Sequence, residues 1–307
     1  MDTVEKTTEQ SALRGVTRRT ILSVGAAGAL LTAASCSTGQ AAGPSSRVGA
    51  ELVEIERATG TTIGLYAENL SSARKITHRH TESFPMCSVF KALAVAALMS
   101  EHSPYGDYWD KEISFDTTDL VDYSPITGEA EDGKMTVAEL ADAALRFSDN
   151  TAANLLLQEL GGPEAVTRFA REHEAMHTRL DRWEPELNEA VPGDPRDTTT
   201  PADIALLYRR ILVDDTLGQL GQAKLRDWML RNTTADERLG AAVDGDHELA
   251  DKTGSGGYGV VNDVGVIWRP DGSMTVIAVL VRSDDPDADS DPAVLVEAAR
   301  VALAELL

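Results

Sequence analysis

Apolar side chains cover every helical face of residues 87–99, and within that stretch only Ser88 and Lys91 are clearly polar. No proline or glycine interrupts it. The pattern predicts a helix buried all round rather than an amphipathic surface helix. Residues 47–58 mix charges with Val, Leu and Ile at helical spacing and predict a first helix. Residues 61–67 and 74–78 are short strand candidates on either side of an Asn-Leu-Ser-Ser turn. From Ser88 to about Leu220 the periodicity is mostly helical, with loops at 103–135 and 181–201. Residues 248–252, 259–269 and 274–282 read as strands, Asp271-Gly272 turns the last two, and 293–307 closes as a helix. Strands at both chain ends with helices between them predict an α+β fold. One antiparallel sheet is built from both termini, and a helical region is inserted.

The two polar residues of the buried helix change that picture. Residues three apart share a helix face, so the Ser88 hydroxyl and the Lys91 amine lie side by side. An unpaired ammonium there is costly. Lys91 is therefore tied into a polar pocket, or its pKa is tuned, and either outcome points to a working site. A serine needs a neighbouring base to become a nucleophile, and Lys91 is one candidate.

Charge excludes several partners. The formal net charge is −22, and removing residues 1–35 takes away four Lys/Arg and three Asp/Glu, leaving −23. Such a surface repels nucleic acid and anionic lipid head groups. The only cysteines are Cys36 and Cys87, and the six histidines are scattered without zinc-ligand spacing, so no metal or cofactor is expected. Beyond the N-terminus no apolar run reaches spanning length.

The first 35 residues read as an export signal. Arg18 and Arg19 stand before a modest, small-residue apolar segment, which looks like a twin-arginine signal. Ala33-Ala34-Ser35-Cys36 resembles a bacterial lipoprotein box, with Ala where Leu is more usual. Lipid attachment at Cys36, and so to a membrane, is one expectation, and plain cleavage nearby is the other. Residues 36–46 are Gly/Ser/Ala-rich and read as a tether. The expected product is exported: extracellular, periplasmic or lipid-anchored on the outer face of the cytoplasmic membrane.

An SxxK pattern alone says little, because Ser72-Ala-Arg-Lys75 also matches in a polar, turn-like setting. Ser88-Val-Phe-Lys91 differs in its buried surroundings and its companions, Ser148-Asp149-Asn150 and Lys252-Thr253-Gly254. This trio resembles that of class A β-lactamases and penicillin-binding proteins. A fourth segment separates those relatives. Arg182-Trp183-Glu184-Pro185-Glu186-Leu187-Asn188, continued by Gly193-Asp194-Pro195-Arg196-Asp197, resembles the Ω-loop of class A serine β-lactamases. The likeness covers residues 47–307.

The resemblance implies a five-stranded antiparallel sheet with the terminal helices (about 47–80 and 225–307), a helical part (about 81–224), and a cleft between them. It implies hydrolysis of penicillins and some cephalosporins through a Ser88 acyl-enzyme. Lys91 or Glu184 is the base for acylation, and Glu184 activates the deacylating water. Ser148 relays a proton beside Lys252, and the Ser88 and Ser255 amides form the oxyanion hole. Tyr123, Asn150, Asn188, Arg238, Thr253 and Ser255 contact substrate or water, while Arg182 and Asp197 close the Ω-loop neck. The Glu184–Pro185 bond is expected to be cis. Cys87 stands where some members pair a cysteine with a second one just after the KTG motif, but that place is Gly256 here, so a free thiol is expected. A monomer acting on small β-lactams, with no protein partner, is implied. The alternative is a D,D-peptidase or other penicillin-binding enzyme acting on peptidoglycan, which lacks the glutamate. A β-lactam sensor would need a signalling segment across the membrane.

Overall fold

A computed structural model describes residues 44–243 and 245–307; the paired arginines and Cys36 lie outside them. The strands are β1 (Thr62–Asn69), β2 (Arg74–His78), β3 (Phe84–Pro85), β4 (Glu112–Ser114), β5 (Lys134–Thr136), β6 (Thr198–Thr199), β7 (Glu248–Gly256), β8 (Val260–Trp268) and β9 (Met274–Arg282). The helices are α1 (Pro44–Thr59), α2 (Phe90–Glu101), α3 (Val137–Arg146), α4 (Asn150–Glu159), α5 (Glu164–Glu172), α6 (Pro201–Leu212), α7 (Gly218–Leu230), α8 (Leu239–Ala242) and α9 (Pro292–Leu303).

Five strands form one antiparallel sheet in the order β2-β1-β9-β8-β7, joining both ends of the chain as the sequence pattern predicts. Its central strands are almost continuously apolar because both faces are covered. Ile63, Leu65, Ile277 and Val279 point into a core shared with Val48, Leu52, Leu295 and Ala299 of α1 and α9. Val264, Val266, Ala278 and Leu280 point the other way, into the core of the helical region. There α2 is the central rod, buried from Phe90 to Met99. α3, α4, α5, α6 and α7 all touch it.

Four differences from the sequence pattern appear, the first three with a physical cause. β7 runs four residues past the expected end, through Gly256, because pairing with β8 continues to Gly256↔Val260. Ladder hydrogen bonds override the turn-like look of Thr-Gly-Ser-Gly. The expected loop 103–135 holds β4 and the start of β5, a small two-stranded pairing between distant residues. α1 begins at Pro44, inside the expected tether, where proline suits a first helical turn. α7 runs through residue 225, the point expected to divide the two parts.

The two layers meet where Gly64 of β1 faces Phe84 and Pro201. A Cβ at Gly64 would stand 2.5 and 2.7 Å from Phe84 ring atoms and 2.7 Å from Pro201 Cγ. α6 starts there, with the Thr200 side chain accepting from Asp203 N and Pro201 in the first turn. We predict that Gly64→Ala overpacks this contact and lowers stability by about 1–3 kcal/mol. Chemical denaturation of residues 44–307 measures it, and an unchanged midpoint would disprove the overpacking.

Candidate active site

Ser88 does not lie in the α-helix proper. It occupies a single 3-10 turn, Cys87–Val89, that runs straight into α2. Cys87 takes a positive φ of 47°, which starts the turn. Lys91 follows in the first turn of α2. The serine and lysine converge on one atom: Ser88 Oγ donates to Glu184 Oε1 at 3.3 Å, and Lys91 Nζ lies 3.1 Å from the same oxygen. Lys91 Nζ also donates to Ser148 O at 2.7 Å and Asn150 Oδ1 at 2.6 Å, with Ser148 Oγ at 3.4 Å. The ammonium is thus fully buried but surrounded by oxygens. Burial pushes the Lys91 pKa down, and Glu184 pulls against that shift.

Ser148 and Asn150 are held by the start of α4. Asp149, fully buried, accepts from Ala152 N, Ile126 N, Thr127 N and Thr127 Oγ1. One carboxylate therefore caps the helix and fixes the loop that carries Tyr123. Asn150 N donates to Tyr123 O at 3.0 Å, and Asn150 Nδ2 donates to Asp122 O at 2.8 Å. A primary amide has two N–H bonds, so one remains for a ligand. Tyr123 is 61% exposed, so its ring stands at the mouth rather than in the core.

Glu184 comes from the Ω-loop, and its peptide bond to Pro185 is cis. Asn188 donates to Glu184 Oε2. Asn188 Oδ1 is buried and meets no protein donor. The neck of the loop is closed by Asp197, which accepts from Asp181 N, Arg182 N and Arg182 Nε, the last at 2.6 Å. Arg182 and Asp197 stand at the base of the loop, away from the cleft. Asn154 escaped the sequence reading: its amide clasps Glu184, donating to Glu184 O at 2.9 Å and accepting from Glu184 N at 3.0 Å. It lies four residues after Asn150 on the same helix, so i,i+4 spacing from the motif was a usable signal.

β7 forms the opposite wall. Lys252 Nζ donates to Ser148 Oγ at 3.0 Å and to Thr253 O at 2.9 Å. Burial, then the nearby Lys91 charge, lowers its pKa to about 7. Gly254 lets β7 approach the serine turn, since a Cβ there would sit 3.2 Å from Cys87 Cβ and 3.3 Å from Ser88 N. At the far end Arg238 donates to Gly254 O and Asn262 O, both at 2.7 Å, and to Ser255 Oγ at 2.6 Å. Burial lowers its pKa, while Asp263 and Asp251 raise it. Thr234, also absent from the sequence reading, bonds Thr253 through their hydroxyls at 2.6 Å. A cavity of about 290 Å³ opens between these walls, lined by Ser88, Tyr123, Ser148, Asn150, Asn188, Arg238, Thr253 and Ser255. Among the described residues no group of His, Cys, Asp or Glu is placed to hold a metal ion, and no helix is long and apolar enough to cross a membrane.

The chain is similar to known proteins over most of its length. Residues 47–306 match the Beta-lactamase enzyme family. β-Lactamase AST-1 of Nocardia asteroides is 43% identical over 291 residues, which is 92% of this chain and 94% of that protein. The structure of the β-lactamase from Streptomyces albus G superposes with a TM-score of 0.82 at 43% identity, covering 85% of this chain and 97% of that one. An ancestral (GNCA) class A β-lactamase superposes at 0.80 with 45% identity, covering 84% of this chain and 99% of that one.

Cys87 remains as a group the cleft does not use. It is fully buried, and its thiol is free. Burial, then the Glu184 charge, pushes its pKa far above the ordinary thiol range. Its Sγ lies 2.8 Å from where a Cβ on Gly256 would be. The reactive form of a cysteine is the thiolate, so folded residues 44–307 should resist a thiol-specific reagent near neutral pH and react only on unfolding. Rapid labelling of the native protein, read by absorbance and mass, is the contrary result.

Proposed function

The chain belongs to the β-lactamase enzyme family, and from that premise we propose that it hydrolyses the β-lactam amide of penicillins and some cephalosporins. The reaction runs through an ester on Ser88. The observation that carries this reading is the Glu184 carboxylate facing Ser88 Oγ, with Lys91 and Asn188 on its other sides.

In the first half-reaction Ser88 Oγ attacks the lactam carbonyl carbon and a C–O bond forms. The Oγ proton has two acceptors, Glu184 Oε1 by direct contact and Lys91, whose neutral form burial favours. The oxyanion is received by the Ser88 and Ser255 amides. The C–N bond then breaks. The leaving nitrogen takes a proton from Ser148 Oγ, which Lys91 at 3.4 Å or Lys252 at 3.0 Å replenishes. Asn150 offers its spare N–H to the substrate side-chain amide, and Tyr123 walls the mouth. The substrate carboxylate is received by Arg238, Thr253 and Ser255, with the Lys252 charge behind them.

In the second half-reaction a water between Glu184 and Asn188 attacks the ester. Asn188 Oδ1 is free to accept one of its hydrogens. Glu184 takes the other proton as the new C–O bond forms, and Ser88 Oγ leaves and is reprotonated. A D,D-peptidase or β-lactam sensor has no use for this carboxylate, which disfavours both.

The reading predicts opposite fates for two variants. Ser88→Ala should take no covalent label from benzylpenicillin, because no second nucleophile is in place. Glu184→Ala should keep an adduct on Ser88 that wild type clears, because Lys91 still assists acylation while deacylation has lost its base. Intact-protein mass spectrometry distinguishes them. An adduct on the serine variant, or hydrolysis near the wild-type rate by the glutamate variant, refutes the assignment.

Residues 1–35 serve as a twin-arginine export signal, 36–46 link it to the catalytic domain 47–307, and Cys36 carries a lipid that anchors a monomeric enzyme outside the cytoplasmic membrane. The paired arginines and the lipobox-like Ala-Ser-Cys support this part of the proposal. Arg18→Lys with Arg19→Lys keeps charge and should block export; normal export of the double variant would assign the general secretory route instead. Cys36→Ala should release the protein from the membrane fraction.

A further inference from the structure

Two aspartates lie behind the cleft that the mechanism above does not use. Asp251 on β7 and Asp263 on β8 are both essentially fully buried. Asp251 stands opposite Gly265, and Asp263 stands opposite Thr253, so the two are diagonal neighbours on one sheet face. Only glycine fits opposite Asp251, since a Cβ on Gly265 would lie 2.8 Å from Asp251 Cβ and 2.7 Å from Ala250 O. Burial, then the adjacent Asp263 charge, pushes the Asp251 carboxyl well above the usual carboxylate range.

Each carboxyl also grips one end of the segment 232–239. Asn232 Nδ2 donates to Asp251 Oδ2 at 2.8 Å, and Leu239 N donates to Asp263 Oδ2 at 3.0 Å. Between those anchors lie Thr234 and Arg238, both lining the cleft. Asn232 Oδ1 in turn accepts from Thr234 N and Oγ1, and Thr234 meets Thr253. The remaining oxygen, Asp263 Oδ1, is buried and meets no N–H donor or hydroxyl. The nearby donors are engaged elsewhere: Lys252 Nζ on Ser148 and Thr253, Tyr208 OH on Val89 O, and Arg238 on Gly254, Ser255 and Asn262. Two adjacent buried carboxylates cannot both stay ionised. A proton held between them removes the repulsion and satisfies the orphaned oxygen.

We propose that Asp251 and Asp263 share one proton and act as a positioning pair, stapling the 232–239 segment to the sheet so that Arg238 is held across Ser255. Arg238 is thereby kept ready for the carboxylate of the substrate, and the pair presents one negative charge, not two, beneath Lys252 and Arg238. The part concerning substrate rests on the β-lactam reading. The shared proton does not.

The two parts are tested separately. Infrared spectra of residues 44–307 at neutral pH should show a protonated-carboxyl C=O stretch that disappears in Asp251→Asn and in Asp263→Asn. Either amide reproduces the donor and acceptor of the half-protonated pair, so both variants should fold. Absence of that band from wild type overturns the shared proton, whatever the activity. For positioning, kcat and KM are measured with benzylpenicillin. Arg238→Ala removes a charge-assisted contact and should lower kcat/KM about 10- to 150-fold. Asp263→Ala should raise KM by about tenfold or more with a smaller change in kcat, and Asp263→Asn should restore it. In the Arg238→Ala background Asp263→Ala should add less than about twofold, because its effect runs through the arginine. Equal losses in both backgrounds, or no rescue by asparagine, would reduce the pair to a general stability role. Wild type that turns over no β-lactam would overturn the enzymatic reading and leave the infrared result standing.

Discussion

The cleft is organised around one buried ion pair. Lys91 and Glu184 meet at 3.1 Å with both side chains wholly out of water. Removing two charges from water costs several kcal/mol per ion, and their attraction offsets this only when the remaining polar positions are also satisfied. That requirement recruits the neighbours. Ser148 O and Asn150 Oδ1 complete the ammonium, while Ser88 Oγ and the Asn188 amide complete the carboxylate. Three chain segments that are distant in sequence are thereby bound to one centre. Of the residues that make the pair tolerable, Ser88 and Ser148 move protons in the proposed reaction, while Asn150 and Asn188 hold substrate and water.

An irregular loop must hold the carboxylate half of this pair, and the fold supplies the rigidity that the loop lacks. Asp197 gathers the neck through two backbone amides and a guanidinium, and Asn154 fixes the Glu184 backbone from α4. Further out, Gly257 N donates to Asn188 O at 2.9 Å, so the end of β7 braces the loop as well. A side chain at Gly256 or Gly257 would meet the Asn188 or Glu189 carbonyl at 2.7 Å. The glycines after the lysine motif therefore let strand and loop touch through backbone alone.

Several site residues sit in unfavourable backbone conformations. Cys87, Tyr123, Ser148 and Asp197 all have positive φ without being glycine. Each such residue costs on the order of 1–3 kcal/mol and persists only where its surroundings fix it. Three of the four directly flank or form the cleft. Local propensity is overridden there because the polar groups must converge, and the packed cores on both sides of the sheet supply the stability to hold them.

The sheet from two chain ends, the buried α2 and the candidate site residues are legible in the sequence alone. Those follow from periodicity and from residue type at fixed spacing, which are local properties. Ser88, Lys91, Ser148, Glu184 and Lys252 were all legible because each stands in a short, chemically distinctive motif. Asn154, Thr234 and the Asp251–Asp263 pair were not, because an asparagine, a threonine or an aspartate has no distinctive local pattern. Their significance depends on what lies opposite. Asp263 matters because strand register places it diagonal to Asp251 and beside Leu239 N. The pairing of Glu112 with Thr136 was likewise decided by a partner well along the chain, and β7 continues to Gly256 because its ladder with β8 does. Hydrogen bonds between strands and the desolvation of polar groups are set by tertiary contact, so no window of local sequence contains them.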